Sequence, residues 1–194
     1  MNKYIKEIVE RSKGGRFWNE AFVDKIYKET KKRGKLGTVI DLGAAEGEFS
    51  LYIYDLARRV YAVEPHADSF ETLKENSKNL PKIRPFRYII SDSNQDKFLR
   101  GNADGGAQTV DEEEDNTQRV PTRTLASFMR ENNIKTVDIL KIDIESHEPR
   151  VFGALDFPWV AHKIKFIIGE HGAGLQQILE PLGFHWKDGF TAWR

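Results

Sequence analysis

The chain contains no cysteine in its 194 residues. Disulfides, thiolate metal sites and a cysteine nucleophile are therefore excluded. Long apolar runs are missing too. Nothing approaches the roughly 18 consecutive apolar residues of a membrane-spanning helix. The opening MNKYIKEIVERSK alternates charged and apolar side chains and has no signal-peptide core. The expectation is a cytoplasmic protein with no membrane partner. An excess charge of one sign is also absent, since 30 Lys and Arg balance 30 Asp and Glu. No global field draws the chain to nucleic acid. The balance is uneven along the chain, with eleven basic against five acidic residues in positions 1–37. That end is expected to be a solvated helix face.

What remains is an ordinary globular composition, long enough for one domain with its own core. The most informative stretch is TVIDLGAAEGEFS, residues 38–50. A short β-branched run ends at Gly43, and Phe49, Leu51, Ile53 and Leu56 follow at helical spacing. This predicts a buried strand, a tight turn and a helix. Gly43 allows the sharp turn, and Gly47 allows a ligand or the strand to approach the helix start. Such a turn commonly holds a nucleotide. Dinucleotide sites, however, use GxGxxG and seat a pyrophosphate on the helix N-terminus. Here the spacing is GxxxG, and Glu46 in the turn would repel a phosphate. S-adenosylmethionine, cationic and free of phosphate, suits an acidic turn better. The second apolar run, RVYAVEP, ends at Glu64-Pro65, where an acid can accept hydrogen bonds from both ribose hydroxyls.

The glycine turn followed by this VEP ending resembles class I S-adenosylmethionine-dependent methyltransferases. The later stretch LKIDIESHE, residues 140–148, with Thr124-Leu125 before it, resembles the FkbM-type methyltransferase family. The resemblance covers about residues 38–171, with its motifs in the family's order. It implies an α/β, Rossmann-like class I methyltransferase fold. That fold has a mostly parallel seven-stranded sheet, helices on both faces and a C-terminal antiparallel hairpin. It implies S-adenosyl-L-methionine as cofactor, held by Asp41, Gly43, Ala44, Glu46, Gly47, Phe49, Glu64, Pro65, Ser91, Asp92 and Asp143. Ser91-Asp92, at a strand end, resembles the pair that meets adenine, although an Asx-turn would want the same residues.

In chain order, residues 1–36 are expected to form an N-terminal helical cap and residues 37–194 the methyltransferase domain. Trp18, Phe22 and Ile26 recur at i, i+4, i+8, a stripe suited to packing against the sheet domain. Helices are expected over 46–57, 67–79, 125–132 and 175–182, with strands over 59–64, 83–90, 137–144 and 164–168. Residues 93–120, glycine-rich and then acidic (DEEED, 111–115), lack periodicity and predict a long loop or mobile hairpin. Residues 184–186 and 191–193 suggest a hairpin around Asp188-Gly189.

Methyl transfer to a hydroxyl needs orientation and a proton acceptor at the C-terminal edge of the sheet. The catalytic candidates are Asp143, Glu170 and His171. Asp143 matches the acid of the family's KIDVEG-like motif, together with Lys141, Glu145 and Glu148. Ser146 stands where the family has glycine. Glu145 and Glu148 also suit a helix's first turn on dipole grounds alone, and His147 is expected at the surface. Asp143, Glu145, Glu170 and His171 match no metal spacing, and no metal is expected. The expected activity is O-methylation of a hydroxyl on a small molecule, sugar-type natural product or glycan. Two other readings compete: a catalytically silent cofactor-binding relative acting through a partner, and a nicotinamide-dependent oxidoreductase, which Glu46 and the missing GxG oppose.

Overall fold

Short apolar blocks punctuated by glycine, proline and charged pairs make strands that are buried on both faces. The computed structural model describes residues 35–101, 107–169, 174–187 and 190–194. The expected helical cap at 1–36 therefore lies, except for its last two residues, outside the described residues. The first half of the chain forms β1 (Leu36–Leu42), α1 (Glu48–Tyr52), β2 (Ala57–Val63), α2 (Ala67–Ser77), β3 (Ile83–Phe86) and β4 (Ile89–Ser91). Next come β5 (Lys97–Arg100), β6 (Gln108–Val110), β7 (Thr117–Val120), β8 (Thr122–Thr124) and α3 (Leu125–Glu131). The remainder is β9 (Val137–Ile142), α4 (Glu148–Gly153), α5 (Pro158–Ala161), β10 (Ile164–Gly169), α6 (Leu175–Leu179), β11 (His185–Lys187) and β12 (Phe190–Trp193).

The main sheet has seven strands in the order β3-β2-β1-β9-β10-β12-β11. Five are parallel, and β12 runs antiparallel to both β10 and β11. The expected fold class is thus observed. Side-chain alternation divides the core into two layers. Val39, Val60, Ala62 and Ile139 pack with Phe49 and Leu51 of α1 and Leu73 of α2. Ile40, Leu42, Tyr61, Val63, Leu140 and Ile142 pack on the other face against residues of α3, α4, α5 and α6. The sheet order reverses at β1, whose neighbours β2 and β9 lie far apart in sequence. Crevices for ligands form at the carboxyl ends of the strands at such a point.

Three expectations change. The helix over 46–57 shrinks to α1, because Ala57 already pairs with Leu36 as the first residue of β2. The strand over 83–90 divides in two. Pro85 sits in β3, an edge strand where a missing donor is tolerated, while β4 leaves the sheet to pair with β8. The 93–120 segment, expected as a long loop or a mobile hairpin, is a small antiparallel sheet with β5 between β6 and β7, nearer the hairpin alternative. Its Leu99 and Val120 bury against Ile89. Asp138, a polar residue early in β9, is also accounted for. Its Oδ2 accepts hydrogen bonds from the backbone N–H of Gly37 at 2.6 Å and of Thr38 at 3.1 Å. It clips the start of β1, at the sheet edge opposite the ligand crevice.

Candidate active site

The turn after β1 is set by backbone geometry. Gly43 and Gly47 have φ of +71° and +99°, and Ala45 between them is also left-handed at +48°. A Cβ on Gly43 would lie 1.8 Å from the Asp143 carbonyl oxygen, so the crossing of two backbones requires glycine there. At Gly47 the close neighbour is Leu73 Cδ1, 2.8 Å from such a Cβ. What approaches the helix start at Gly47 is thus α2. The N–H groups of Gly43 and Ala44 both donate to the Val63 carbonyl at 3.0 Å, tying the turn to the end of β2.

Beneath the turn lies a buried set of charges. Asp41 and Lys141 are opposite each other in the β1–β9 register. Both interrupt the apolar inner halves of their strands, and each supplies the counter-charge that the other's burial demands. Lys141 Nζ lies 3.3 Å from Asp41 Oδ1 and donates to the Gly43 carbonyl at 2.6 Å. Ser50 of α1 donates to Asp41 Oδ2 at 2.6 Å. Asp143 Oδ2 stands 3.9 Å from the same ammonium. Burial pushes the Asp41 carboxyl above the usual range, and Lys141 and Ser50 only partly offset this. Burial also pulls Lys141 down, but the carboxylates of Asp41 and Asp143 outweigh it and the net direction is up.

Glu64 completes the floor. It is 7% exposed. Its Oε2 accepts from Ala45 N–H and its Oε1 from His66 N–H, both at 2.8 Å. Burial raises its pKa against those two hydrogen bonds. The adjoining His66 ring is buried with Nδ1 unpartnered. Of the other cofactor candidates, Ala44 and Phe49 are buried in the core layer beside α1 and α2. Glu46 is exposed, with its carbonyl accepting from Asn76, and the Pro65 carbonyl accepts from Arg87.

A second cluster lies at the end of β4. Ser91, fully buried, shares its hydroxyl between Asp92 Oδ1 at 3.1 Å and His147 Nε2 at 2.8 Å. His147 is therefore half-buried and engaged, contrary to the surface position expected for it. Burial first, then the nearby Arg150 and Lys97, push its pKa down to about 4. Asp92 pairs with Lys97 at 3.3 Å and with Arg150 at 3.2 Å. Although burial opposes them, these cations and Ser91 hold Asp92 below the usual carboxylate range. Asp111, the first residue of the acidic run, meets the same Lys97 and Arg150. Arg150 and then Lys97 hold it down to about 2.

Between β9 and α4 the chain passes through two left-handed residues, Glu145 (φ +54°) and Ser146 (φ +69°). Ser146, standing where the family has glycine, thus occupies a backbone region that favours glycine. Glu145 precedes the helix. Glu148 opens it, fully buried, with Oε1 accepting from Ile144 N–H at 3.1 Å. Glu170 and His171 lie outside the described residues. Among the described residues, Asp41, Gly43, Glu64 and Asp143 come together around Lys141, and Ser91 and Asp92 form the separate cluster with His147. Sequence reasoning gave no site role to Lys97, Arg150 or His66. A lysine or arginine at a polar position of a short element carries no periodic signal, so nothing in the chain singled them out.

A sheet that reverses order beside an acid-lined glycine turn is the architecture of class I S-adenosylmethionine-dependent methyltransferases. A precorrin-6y C5,15-methyltransferase from Geobacter metallireducens shares this fold. Its TM-score is 0.54 over 92% of this chain and 91% of that one, at 11% identity. A methyltransferase from Geobacter sulfurreducens matches with a TM-score of 0.52 over 100% of this chain and 91% of that one, at 12% identity. Within this class the chain belongs to the FkbM methyltransferase family, whose domain matches residues 41–187. The hexuronic acid methyltransferase AglP of Haloferax volcanii is 26% identical over 117 residues, which are 60% of this chain and 48% of AglP. The chain thus spans about half the length of that relative.

Proposed function

We propose that this protein is an S-adenosylmethionine-dependent O-methyltransferase whose acceptor is a hydroxyl of a sugar-type small molecule or glycan. The observation that carries the cofactor reading is the charge around the Gly43 turn. Asp41, Glu48, Glu64 and Asp143 act electrostatically with Lys141, the exposed Glu46 adds negative charge beside Glu48, and several of the carboxylates act on one another. A pyrophosphate would meet repulsion there, and a sulfonium with an amino group would meet attraction. The acceptor reading draws on the family and on the hexuronic acid named for AglP.

When bound, S-adenosylmethionine supplies a methyl group on a sulfonium whose thioether is already a good leaving group. The protein therefore has to bind, orient and accept a proton. Glu64 would bind the ribose hydroxyls, because each carboxylate oxygen keeps acceptor capacity beyond the single N–H it already holds. Ser91 and Asp92 would meet the adenine side. Lys141 fixes the Gly43 carbonyl and so the shape of the turn. Asp143 would orient cofactor or acceptor. Glu170 and His171, which directly follow β10, would take the hydroxyl proton. Strand β10 ends at Gly169, in register with Ile142 just before Asp143.

Glu64→Ala tests the ribose assignment. Losing hydrogen bonds to a charged acceptor costs about 1.5–3 kcal/mol, so affinity for S-adenosylmethionine in calorimetric titration should fall at least tenfold. An unchanged affinity, with melting temperature retained, would remove Glu64 from the cofactor site.

A further inference from the structure

The acidic run after β6 presents one carboxylate to two cations that belong to different parts of the fold. Arg150, in the last turn of the six-residue α4, donates Nη1 to Asp111 Oδ1 at 2.9 Å and Nη2 to Oδ2 at 2.7 Å. This two-pronged arrangement is how a guanidinium recognises a carboxylate. Lys97 of β5 donates Nζ to Asp111 Oδ1 at 2.5 Å, and its side chain is only 8% exposed. Asp92 supports both cations from the side, at 3.3 Å from Lys97 Nζ and 3.2 Å from Arg150 Nη1. The receiving groups are anchored on a strand and a helix. The carboxylate they hold sits just beyond a strand end, with its side chain 52% exposed.

We propose that Lys97 and Arg150 form a binding site for the carboxylate of an acidic sugar, a hexuronate-type acceptor, and that Asp111 occupies the site until that carboxylate displaces it. This rests on the acceptor reading above and names its chemical class. Three observations favour exchange. Charge is conserved, because two cations face two carboxylates before and after. Displacement is accessible, because the Arg150 and Asp111 side chains are 44% and 52% exposed and water can compete for both. The departing residue also leads a run of five acids whose mutual repulsion favours withdrawal into solvent. The location suits an acceptor. Arg150 lies on the helix that follows the Asp143 turn, so the cationic pair stands at the ligand edge of the sheet, on the side of the turn proposed to orient cofactor or acceptor.

The test titrates sodium glucuronate, glucose and glucose 6-phosphate, by calorimetry, into the full chain as wild type, as Asp111→Asn and as Asp111→Asn/Arg150→Gln. Removing the internal competitor should tighten glucuronate binding roughly tenfold. The double substitution should abolish that gain, and glucose should show none. Equal glucuronate affinity in wild type and Asp111→Asn would overturn the proposal, as would an equal gain for glucose. A larger gain for glucose 6-phosphate would overturn the carboxylate assignment. Asp111→Ser read in the same way guards against a folding defect particular to asparagine. S-adenosylmethionine titrated into the same samples separates the two readings. Cofactor binding without a glucuronate gain sinks the carboxylate site alone. Absence of cofactor binding in every sample sinks the methyltransferase reading, while the glucuronate result still stands by itself.

Discussion

The imidazole of His147 is half-buried against the Ser91 hydroxyl, and burial with the nearby Arg150 and Lys97 lowers its pKa to about 4. Unfolded, it returns to about 6.5. Between these values the unfolded chain binds the extra proton, so the His147 contribution to stability rises with pH. It is complete above about 6.5 and lost as pH falls toward 4. Allowing for solvent screening of a group this exposed, the effect is about 2 kcal/mol. Urea melts of wild type and His147→Gln at pH 4.5 and 7.5 check it. The wild-type difference should exceed the variant's by that amount, and equal differences would place His147 in solvent. Asp41, Glu48 and Glu64, whose pKa values are pushed upward by desolvation, tilt stability the other way. That contribution is common to both proteins and cancels. His147 also shows where single residues escape a sequence reading. Asp41, Gly43 and Glu64 sit at strand ends, where the chain announces a turn, and their positions were legible there. His147 and Arg150 matter because α4 brings them to Asp92, across a gap in sequence that no local pattern spans.

Elements followed their periodicity wherever one face had to be buried. The core strands β1, β2, β9 and β10 alternate between two apolar layers, and their positions were readable within a residue or two. Shorter pieces were less legible because pairing, not propensity, ends them. Helix α1 stops where β2 claims Ala57, and β4 departs because β8 offers it a partner. The 93–120 segment was readable only as a loop or hairpin because its three strands are only three or four residues long. Strands that short carry too few alternations to register. Asp138 makes the same point energetically. It accepts from two N–H groups at the start of β1. Asp138→Ala should cost about 2 kcal/mol by removing both hydrogen bonds to a charged acceptor, lowering the melting temperature by roughly 6 °C. Its exposed partner Lys165 should cost under about 1 kcal/mol when changed to alanine. Equal costs would mean that the salt bridge, not the strand clip, is what matters.

Over the whole molecule, the order of the sheet turns separate sequence motifs into one site. Placing β1 between β2 and β9 brings the Gly43 turn, the Glu64 strand end and the Asp143 turn to one edge, although about a hundred residues separate the first from the last. Fold and family follow from that arrangement and from the domain match over residues 41–187. The acceptor does not; in the proposal above its recognition falls to Lys97 of β5 and Arg150 of α4, which no sequence motif marks. The central claim is that this edge binds a cationic adenosyl cofactor rather than a dinucleotide. Calorimetric titration of the purified chain with S-adenosylmethionine, S-adenosylhomocysteine and NADH tests it most directly. Micromolar binding of the two adenosyl ligands and none of NADH is the predicted result. Binding of NADH with neither adenosyl ligand bound would contradict the account.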